Sequence, residues 1–370
     1  MKRIFFIAGE SSGDMHGANL IRALRTADPD IRCSGLGGVR MAEAGMELVY
    51  DLAGDAIMGF VEVLKKALPI RRLFLDTLER LRREPPDCLV LIDYPGFNIR
   101  FAKAAHQLGI PVVYYISPQV WAWKKKRLDV LAQVVRKMLV IFPFEEELYR
   151  DKGVDCAYVG HPLADQITQY MPLAPDTHNR LIIGLLPGSR EQEIRRIAPV
   201  LAEVGAGIQE EYPDAQFMAP CVNEARAQQA AALFGDLPVD ICIGGMYDVL
   251  SQSRCCLVAS GTATIETALF GVPMGIVYRV NPISYYLARM LVNIRHIGMV
   301  NILAGREIAP EFIQHTATVE QILPFMLDII KEGERRNRML ADLHEIRVRL
   351  GGPGASERAA AQILQLLETG

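Results

Sequence analysis

Two glycine-containing turns in the second half of the chain have the residue types that bind phosphate. The first is the string Leu-Pro-Gly-Ser-Arg at 186–190, between an apolar run and a long amphipathic helical pattern. Gly188 lets the backbone approach a ligand, free amides of the next helix would point at it, and Ser189 and Arg190 add a hydroxyl and a positive charge. An ordinary strand-to-helix turn with Ser189 as N-cap explains the same pattern, so this turn alone leaves both interpretations open.

The second turn, at 259–266, again follows an apolar run and precedes a helical pattern. Glu266 lies one turn into that helix, where its carboxylate could accept both hydroxyls of a ribose. A first-turn acid favoured by the helix dipole is the alternative for Glu266 alone. Two such turns in one domain favour a nucleotide diphosphate bound across their ends. The small residues that leave room for a pyrophosphate are Ser260, Gly261, Thr262 and Ala263.

Asp93 is the strongest candidate for acid–base chemistry. It directly follows the apolar run 88–92, and α/β folds place functional residues where strands end. The string Tyr-Pro-Gly-Phe-Asn at 94–98 predicts a turn that leaves the carboxylate facing a cleft. A strand-end aspartate is also a common turn former, so the residue types alone leave its role open.

Several other chemistries are disfavoured by the motifs. The seven histidines form no HExxH-like cluster, so metal catalysis is not expected. Neither GxGxxG at the first turn nor the Walker A pattern is present, which weakens the redox and P-loop interpretations. The sequence therefore predicts no metal and no cofactor.

Short apolar runs alternate with longer amphipathic segments, a pattern typical of parallel α/β units. A strand–glycine turn–helix unit begins near residue 4 and again near residue 181, with a proline-rich linker at 171–179. In the first unit, 9–17 is interpreted as a turn and 18–26 as a helix; in the second, a helix is expected at 191–210. The expected fold is α/β, with two Rossmann-like domains facing a central cleft. The predicted strands are 4–8, 88–92, 112–116, 137–141, 181–186, 216–220, 255–259 and 274–278.

Composition limits the partners and the compartment. A net charge of −3 gives no electrostatic reason to expect nucleic acid. The seven cysteines are scattered through apolar runs without a CxxC pair of metal-ligand spacing, which indicates a reducing, cytoplasmic setting. No apolar run approaches the roughly 18 residues of a membrane span.

The motifs occur in an order that resembles the lipid-A-disaccharide synthase family, and together they cover nearly the whole chain. Two departures are mild: the family sometimes has Thr where Ser11 stands, and often a second acid where Gly96 stands. The strings that carry the resemblance are GESSGD at 9–14, IDYPGFN at 92–98, SPQVWAW at 117–123, FPFE at 142–145, GHPL at 160–163, LPGSR at 186–190, SGTA at 260–263 and NILAGR at 301–306.

The resemblance implies a GT-B fold and an inverting, metal-independent hexosyltransferase. Its donor would be UDP-2,3-diacylglucosamine and its acceptor 2,3-diacylglucosamine 1-phosphate, giving a β(1→6) disaccharide, a lipid A precursor, and UDP. Asp93 is then the expected base, with Ser12 and Asn301 in the active site. Arg190 is expected near the donor diphosphate. Arg279, after the strand at 274–278, and Arg306 in the NILAGR string are further substrate-binding candidates.

Domain roles follow from the same resemblance. Residues 1–172 are expected to bind the acceptor and the membrane, and residues 180–345 to bind the donor. The last segment, 351–370, is expected to form a helix that packs back on the N-terminal domain. A homodimer is left open.

Residues 57–80 combine large apolar side chains with basic ones. Pro69 is expected to break the segment, so it is not expected to form one continuous core helix. A helix in an anionic membrane surface and an amphipathic helix packed on the sheet are both compatible with this composition. The diacylated substrates favour the first, so peripheral association with the cytoplasmic side of a Gram-negative inner membrane is expected. The residues expected to dock are Phe60, Val63, Leu64, Lys65, Lys66, Arg71 and Arg72.

Two rival interpretations remain. The first is another GT-B enzyme acting on UDP-N-acetylglucosamine, either an epimerase or a transferase that makes a peptidoglycan precursor. The second is a non-catalytic module that binds nucleotide sugars. The product separates them: a disaccharide, a free epimerised sugar, or nothing.

Overall fold

The computed structural model describes residues 1–54, 67–118, 126–167, 170, 180–281, 285 and 295–369. The chain forms two compact units, one of Met1–Asp165 with Gly352–Gly370 and the other of Gln166–Gly351. The chain leaves the first unit a few residues before the boundary predicted at residue 172. The segment predicted as a linker, 171–179, lies outside the described residues.

The first unit is built on a parallel sheet. Within the described residues its strand order is β3-β2-β1-β4-β5-β6-β7. The strands are β1 (Arg3–Ala8), β2 (Arg32–Gly37), β3 (Glu47–Asp51), β4 (Cys88–Ile92), β5 (Val112–Tyr115), β6 (Lys137–Val140) and β7 (Cys156–Tyr158). The helices are α1 (Ser11–Ala27), α2 (Val39–Glu43), α3 (Ala67–Arg83), α4 (Pro95–Gln107), α5 (Lys126–Val134), α6 (Pro143–Arg150), α7 (Pro162–Ile167, which runs into the second unit) and the terminal α15 (Ala355–Thr369).

The second unit repeats this architecture. Its described strands are also parallel and follow the order β10-β9-β8-β11-β12-β13. The strands are β8 (Ile182–Leu186), β9 (Gln216–Cys221), β10 (Val239–Ile243), β11 (Cys255–Ala259), β12 (Met274–Tyr278) and β13 (Glu311–Ile313). The helices are α8 (Glu191–Glu211), α9 (Glu224–Phe234), α10 (Met246–Gln252), α11 (Ala263–Leu269), α12 (Met299–Ala304), α13 (Val319–Ile330) and α14 (Glu334–Arg349), with a 3₁₀ turn at Gln314–Thr316.

Both strand orders reverse direction once, between β1 and β4 in the first unit and between β8 and β11 in the second. Open parallel sheets bind ligands outside the carboxyl ends of the strands at such a switch point. Asp93 directly follows β4, and the two glycine turns directly follow β8 and β11. The topology therefore brings the predicted chemistry to one switch point in each unit.

The central strands supply the cores. Side chains such as Phe5, Leu91 and Tyr114 are buried in the first unit, and Leu185 and Val258 are buried in the second. Full burial of an aliphatic or phenylalanine side chain contributes about 1.5–3 kcal/mol. The buried cores therefore support the strand ends, where the candidate residues lie.

One sequence interpretation in the first unit is wrong. The stretch 9–17 is not a turn, since α1 begins at Ser11. Glycines inside this helix allow close packing: a Cβ at Gly17 would lie only 2.7 Å from the Met41 sulfur. Pro69 lies within the described part of α3, and the residues before Ala67, where the predicted break would show, lie outside the described residues.

The terminal helix α15 belongs to the first unit and packs against α1. Its start is held by the Asp165 carboxylate, which accepts hydrogen bonds from the amides of Gly354, Ala355 and Ser356 at 2.6, 3.1 and 3.2 Å. The Ser356 hydroxyl donates a further bond at 3.2 Å. The carboxylate therefore supplies the helix N-terminus with acceptors that the local chain lacks.

Candidate functional site

The turn after β4 holds Asp93 in a rarely populated conformation. Asp93 and Tyr94 both have left-handed backbones, with φ of 43° and 48°. This region is unfavourable for non-glycine residues, so the surroundings must hold it. The Asp93 carbonyl accepts hydrogen bonds from Asn98 Nδ2 at 2.8 Å and from the Tyr114 hydroxyl at 2.6 Å. Two buried side chains thus fix the turn.

The turn after β1 packs directly on the turn after β4. A Cβ at Gly9 would lie 2.2 Å from the Tyr94 ring, so only glycine fits at this point. The next residue, Glu10, is exposed and lies close enough to Asp93 to act on it electrostatically. The strings GESSGD and IDYPGFN therefore meet at the switch point of the first unit.

Burial raises the pKa of the Asp93 carboxyl to about 6, and the negative charge of Glu10 adds to that rise. A hydrogen bond from the Tyr94 backbone amide opposes it. A general base works best when its pKa lies near the operating pH. Asp93 can thus be ionised at neutral pH and still accept a proton readily.

Ser12 is exposed in the first turn of α1, in the same unit as Asp93. The start of this helix is anchored by a residue that the sequence did not single out. The buried Asp14 carboxylate accepts hydrogen bonds from the amides of Gly38, Arg40 and Met41 at 2.9, 3.2 and 3.1 Å. Asp14 therefore positions Ser12 through the helix.

The turn after β8 differs from its prediction. Gly188 has φ of 107°, but the amides that follow it are not free, because Glu193 Oε2 accepts hydrogen bonds from the Ser189 and Arg190 amides at 3.1 and 3.2 Å. Arg190 Nη1 also contacts Glu193 Oε1 at 3.2 Å. Ser189 is not the N-cap, since that position is Arg190. A carboxylate of the chain itself occupies the predicted anion-binding amides.

The turn after β11 has one exposed small residue, Thr262, among the half-buried Ser260, Gly261 and Ala263. The Ser260 hydroxyl donates to the Ile297 carbonyl at 2.9 Å, and Thr264 Oγ1 donates to the Gly261 carbonyl at 2.8 Å. Thr262 is exposed at the N-cap of α11, which Ala263 begins. These bonds fix a turn whose tip is open to a ligand.

Burial raises the pKa of Glu266 on α11, while a hydrogen bond with Tyr247 opposes the rise. The Tyr247 ring lies between Tyr170 and Phe270, at centroid distances of 5.0 and 5.6 Å. The carboxylate is therefore held among aromatic rings beside the open turn. Tyr247 was not found from the sequence, because no local motif marks it.

Asn301 is fully buried in the second unit. Its Oδ1 accepts hydrogen bonds from the Ile308 and Ala309 amides at 2.8 and 3.0 Å. Its Nδ2 donates to the Ala309 carbonyl at 2.7 Å and to Glu311 Oε1 at 2.8 Å. All four positions of the side-chain amide are used, which leaves none for a substrate. Asn301 therefore holds its own segment in place, and its predicted place in the active site stays a prediction.

Glu311 connects Asn301 to the turn after β11. Its carboxylate also accepts hydrogen bonds from the Ile297 and Gly298 amides, at 3.0 and 2.9 Å. Because the Ile297 carbonyl receives the Ser260 hydroxyl, Glu311 holds the segment on which that turn rests. No local sequence motif marks Glu311 either.

Among the described residues, Arg306 makes no hydrogen bond with either glycine turn. Its guanidinium is half-exposed and pairs with Asp342 at 2.8 Å and Glu345 at 3.3 Å, both on α14. Exposed pairs of this kind contribute little stability, about 0–1 kcal/mol. In this structure Arg306 ties its loop to α14.

Arg279 opens onto a cavity of about 530 Å³ in the second unit. The sequence pattern marked Arg279 but not the other basic residues of this cavity. The adjacent pair Arg195 and Arg196, one turn into α8, is the sequence signal that could have identified them. The lining residues are Arg195, Arg196, Pro199, Arg279, Val280, Tyr285, Gln314 and His315.

Of the residues expected to dock on a membrane, Arg71 and Arg72 are exposed on α3. Leu68 and Leu75 on the same helix are 76% and 51% exposed. The other residues expected to dock lie outside the described residues; they are Phe60, Val63, Leu64, Lys65 and Lys66.

Two further features concern only the described part of the chain. There, none of the helices combines the length and apolarity that crossing a membrane requires. In the same residues no three His, Cys, Asp or Glu side chains are grouped as metal ligands would be.

Solved structures with a similar fold include an epimerase and a glycosyltransferase. A UDP-N-acetylglucosamine 2-epimerase from Neisseria meningitidis, solved with UDP-N-acetylglucosamine, superposes with a TM-score of 0.64 at 14% identity and covers 99% of this chain and 100% of that one. The calicheamicin glycosyltransferase CalG4 gives a TM-score of 0.62 at 16% identity, covering 100% and 98%. With the two parallel sheets, these similarities show the GT-B fold.

Sequence comparison is more specific. A family model described as lipid-A-disaccharide synthetase matches residues 4–365. The lipid-A-disaccharide synthase of Syntrophus aciditrophicus is 41% identical over 381 aligned residues, covering 99% of this chain and 98% of that protein. That of Trichlorobacter lovleyi is 40% identical over 376, also covering 99% and 98%. The chain is therefore a glycosyltransferase that belongs to the lipid-A-disaccharide synthase family.

Proposed function

We propose that the protein transfers 2,3-diacylglucosamine from its UDP donor to the 6-hydroxyl of 2,3-diacylglucosamine 1-phosphate, with inversion. The observation that carries this proposal is Asp93, a carboxylate with a pKa raised to about 6 on a clamped turn at a switch point. Membership of a family named for making the lipid A disaccharide supports a reaction that joins two sugars.

Asp93 acts as the general base. As the acceptor oxygen attacks the anomeric carbon, its proton moves to the Asp93 carboxylate and the bond from that carbon to the UDP oxygen breaks. A single displacement turns an α-linked donor into a β-linked product. A positioned base contributes about 10²–10⁴-fold to such a step. Ser12, exposed at the start of α1 in the same unit, contacts the acceptor.

The second unit binds the donor. Glu266 accepts the ribose hydroxyls, and the turn Ser260, Gly261, Thr262 and Ala263 receives the phosphates. Arg279 and Arg190 stabilise the negative charge that grows on the departing UDP. The similar fold of an epimerase solved with UDP-N-acetylglucosamine supports a nucleotide sugar in this unit.

The membrane surface is the other proposed partner. Leu68 and Leu75 project from α3 into solvent beside the exposed Arg71 and Arg72. Exposed leucines next to arginines suit a helix that lies in an anionic bilayer surface. We therefore propose peripheral association with the cytoplasmic face of the inner membrane. Phe60, Val63, Leu64, Lys65 and Lys66 remain predicted members of the same surface.

One assay tests the reaction. The protein is incubated with both lipid-linked sugars, and UDP release is measured together with the disaccharide. Disaccharide formed by the wild type and lost in Asp93→Asn supports the proposal. A free epimerised sugar would instead indicate the epimerase alternative, and UDP binding without any product would indicate a binding module.

A further inference from the structure

Basic side chains line the cavity of the second unit on two sides. Arg195 and Arg196 on α8 form one wall, and Arg279 after β12 and His315 in the 3₁₀ turn after β13 form another. Three of these side chains are guanidiniums, which stay charged at any physiological pH. The walls come from three separate elements of the same unit.

These charges are not balanced within the cavity. Among the described residues, Arg195 and Arg279 have no ion pair or hydrogen bond, and Arg196 contacts only the neutral Gln192, at 3.3 Å. No described lining residue is a carboxylate. The chain has no Asp or Glu between Glu266 and Glu307, so the segment after Arg279 brings no acid. Like charges gathered in one cavity repel each other until an anion enters.

The cavity wall is also fixed in place. The Gln314 side chain pairs with both backbone groups of Val280, accepting from its amide at 2.9 Å and donating to its carbonyl at 3.1 Å. Gln314 itself has a left-handed backbone, with φ of 51°. Strained residues of this kind mark sites where the surroundings specify one geometry. The ends of β12 and β13 are thereby held together beside the cations.

One of the two glycine turns predicted to bind phosphate in this unit, the turn after β8, is filled. Glu193 occupies the Ser189 and Arg190 amides and pairs with the Arg190 side chain. An incoming phosphate must displace this carboxylate to use that turn, whereas the cavity has no internal anion to displace.

We propose that this cavity binds the phosphate of a sugar phosphate, through Arg195, Arg196, Arg279 and His315. Guanidiniums match phosphate geometry and form charge-assisted hydrogen bonds with it. The phosphate comes from the donor diphosphate or from the acceptor 1-phosphate, and only this choice of source rests on the proposed function. Phosphate binding itself does not require the transfer reaction.

The test is calorimetric titration of the full chain with inorganic pyrophosphate, UDP and glucosamine 1-phosphate. The variant is Arg195→Gln combined with Arg279→Gln. The matched control is Arg338→Gln, which removes one positive charge from an exposed pair on α14, outside the cavity. Loss of a hydrogen bond to a charged group weakens binding by about tenfold or more. The cavity variant is expected to lose at least about tenfold in pyrophosphate affinity, and the control is expected to bind as the wild type does.

The other two ligands identify the source. Weaker UDP binding with unchanged glucosamine 1-phosphate binding assigns the cavity to the donor diphosphate, and the reverse assigns it to the acceptor. If the wild type binds no pyrophosphate, or if the cavity variant matches Arg338→Gln for every ligand, the inference is overturned. Should the double variant fail to fold, Arg195→Gln alone decides, since that exposed side chain makes no hydrogen bond among the described residues. A protein that binds pyrophosphate but makes no disaccharide would refute the proposed function and leave this inference intact.

Discussion

Replacing Asp93 by Asn is expected to abolish catalysis and stabilise the fold at the same time. Asn keeps the size of the side chain and its acceptor for the Tyr94 amide, but it cannot take a proton. Turnover should fall about 10²–10⁴-fold, the contribution of a general base. UDP binding should persist, because the proposed donor residues lie in the other unit.

The gain in stability follows from the raised pKa. Asp93 has a pKa of about 6 in the folded chain against an ordinary value of 3.8, which corresponds to roughly 3 kcal/mol. Between these two values the folded protein binds more protons than the unfolded one, so its stability falls as pH rises. The destabilisation begins as the unfolded carboxyl ionises near pH 3.8 and is complete above about pH 7. The amide introduced by Asp93→Asn does not ionise. The unfolding free energy of the variant should therefore exceed that of the wild type by the largest amount at high pH.

The assay is urea unfolding of both proteins between pH 4 and pH 8. The difference in unfolding free energy should grow from about 0.6 kcal/mol at pH 4 to about 3 kcal/mol at pH 8. In parallel, kcat/KM of the wild type should fall as pH drops through about 6. A pH-independent difference would refute the account of the buried carboxylate. Near-normal turnover in the variant would remove Asp93 from the role of base.

Glu266→Gln should weaken UDP binding about tenfold, by loss of charge-assisted bonds to the ribose, and leave pyrophosphate binding unchanged; calorimetry with both ligands checks this. Activity should survive excess chelator, and a loss restored by magnesium would contradict the metal-free reaction. Leu68→Ser with Leu75→Ser should reduce liposome binding and activity on long-chain substrates while UDP binding persists, and both residues are exposed enough for the fold to tolerate the change. Asn301→Leu should lower the urea-unfolding free energy by about 3 kcal/mol or more, since several buried backbone groups lose their partners.

Central strands could be predicted from the sequence, because burial on both faces makes them continuous apolar runs. The predicted runs at 88–92, 255–259 and 274–278 match β4, β11 and β12 residue for residue. The strands missed were β2, β3, β7, β10 and β13. β2 contains two glycines and a serine, and the short β13 holds Glu311 for its buried hydrogen bonds, so neither shows an apolar pattern.

The candidate site could be predicted where one residue type at a strand end carries the signal, as at Asp93, whose role as base stays a prediction. It was not predictable where the partners are distant in sequence, as with Tyr114 on the Asp93 carbonyl or Tyr247 beside Glu266. Glu193 is a different case, because its position near the start of α8 is visible. An acid three residues after an N-cap normally reaches back to the free amides of its own helix. The interpretation of this turn as a phosphate site did not take into account that Glu193 competes with a phosphate for these amides.

In our proposals the base and the phosphate-binding cations lie in separate units, and the charges around Asp93 give a physical reason for this separation. The interactions that shift the pKa of Asp93 are burial, the negative Glu10 and one backbone amide, and none of them is a cation. An arginine beside Asp93 would lower its pKa and make it a weaker base. A bound phosphate is stabilised by such cations, and in our proposal Arg195, Arg196 and Arg279 supply them in the second unit. With the base in one unit and the arginines in the other, each group keeps the electrostatic surroundings that its step requires.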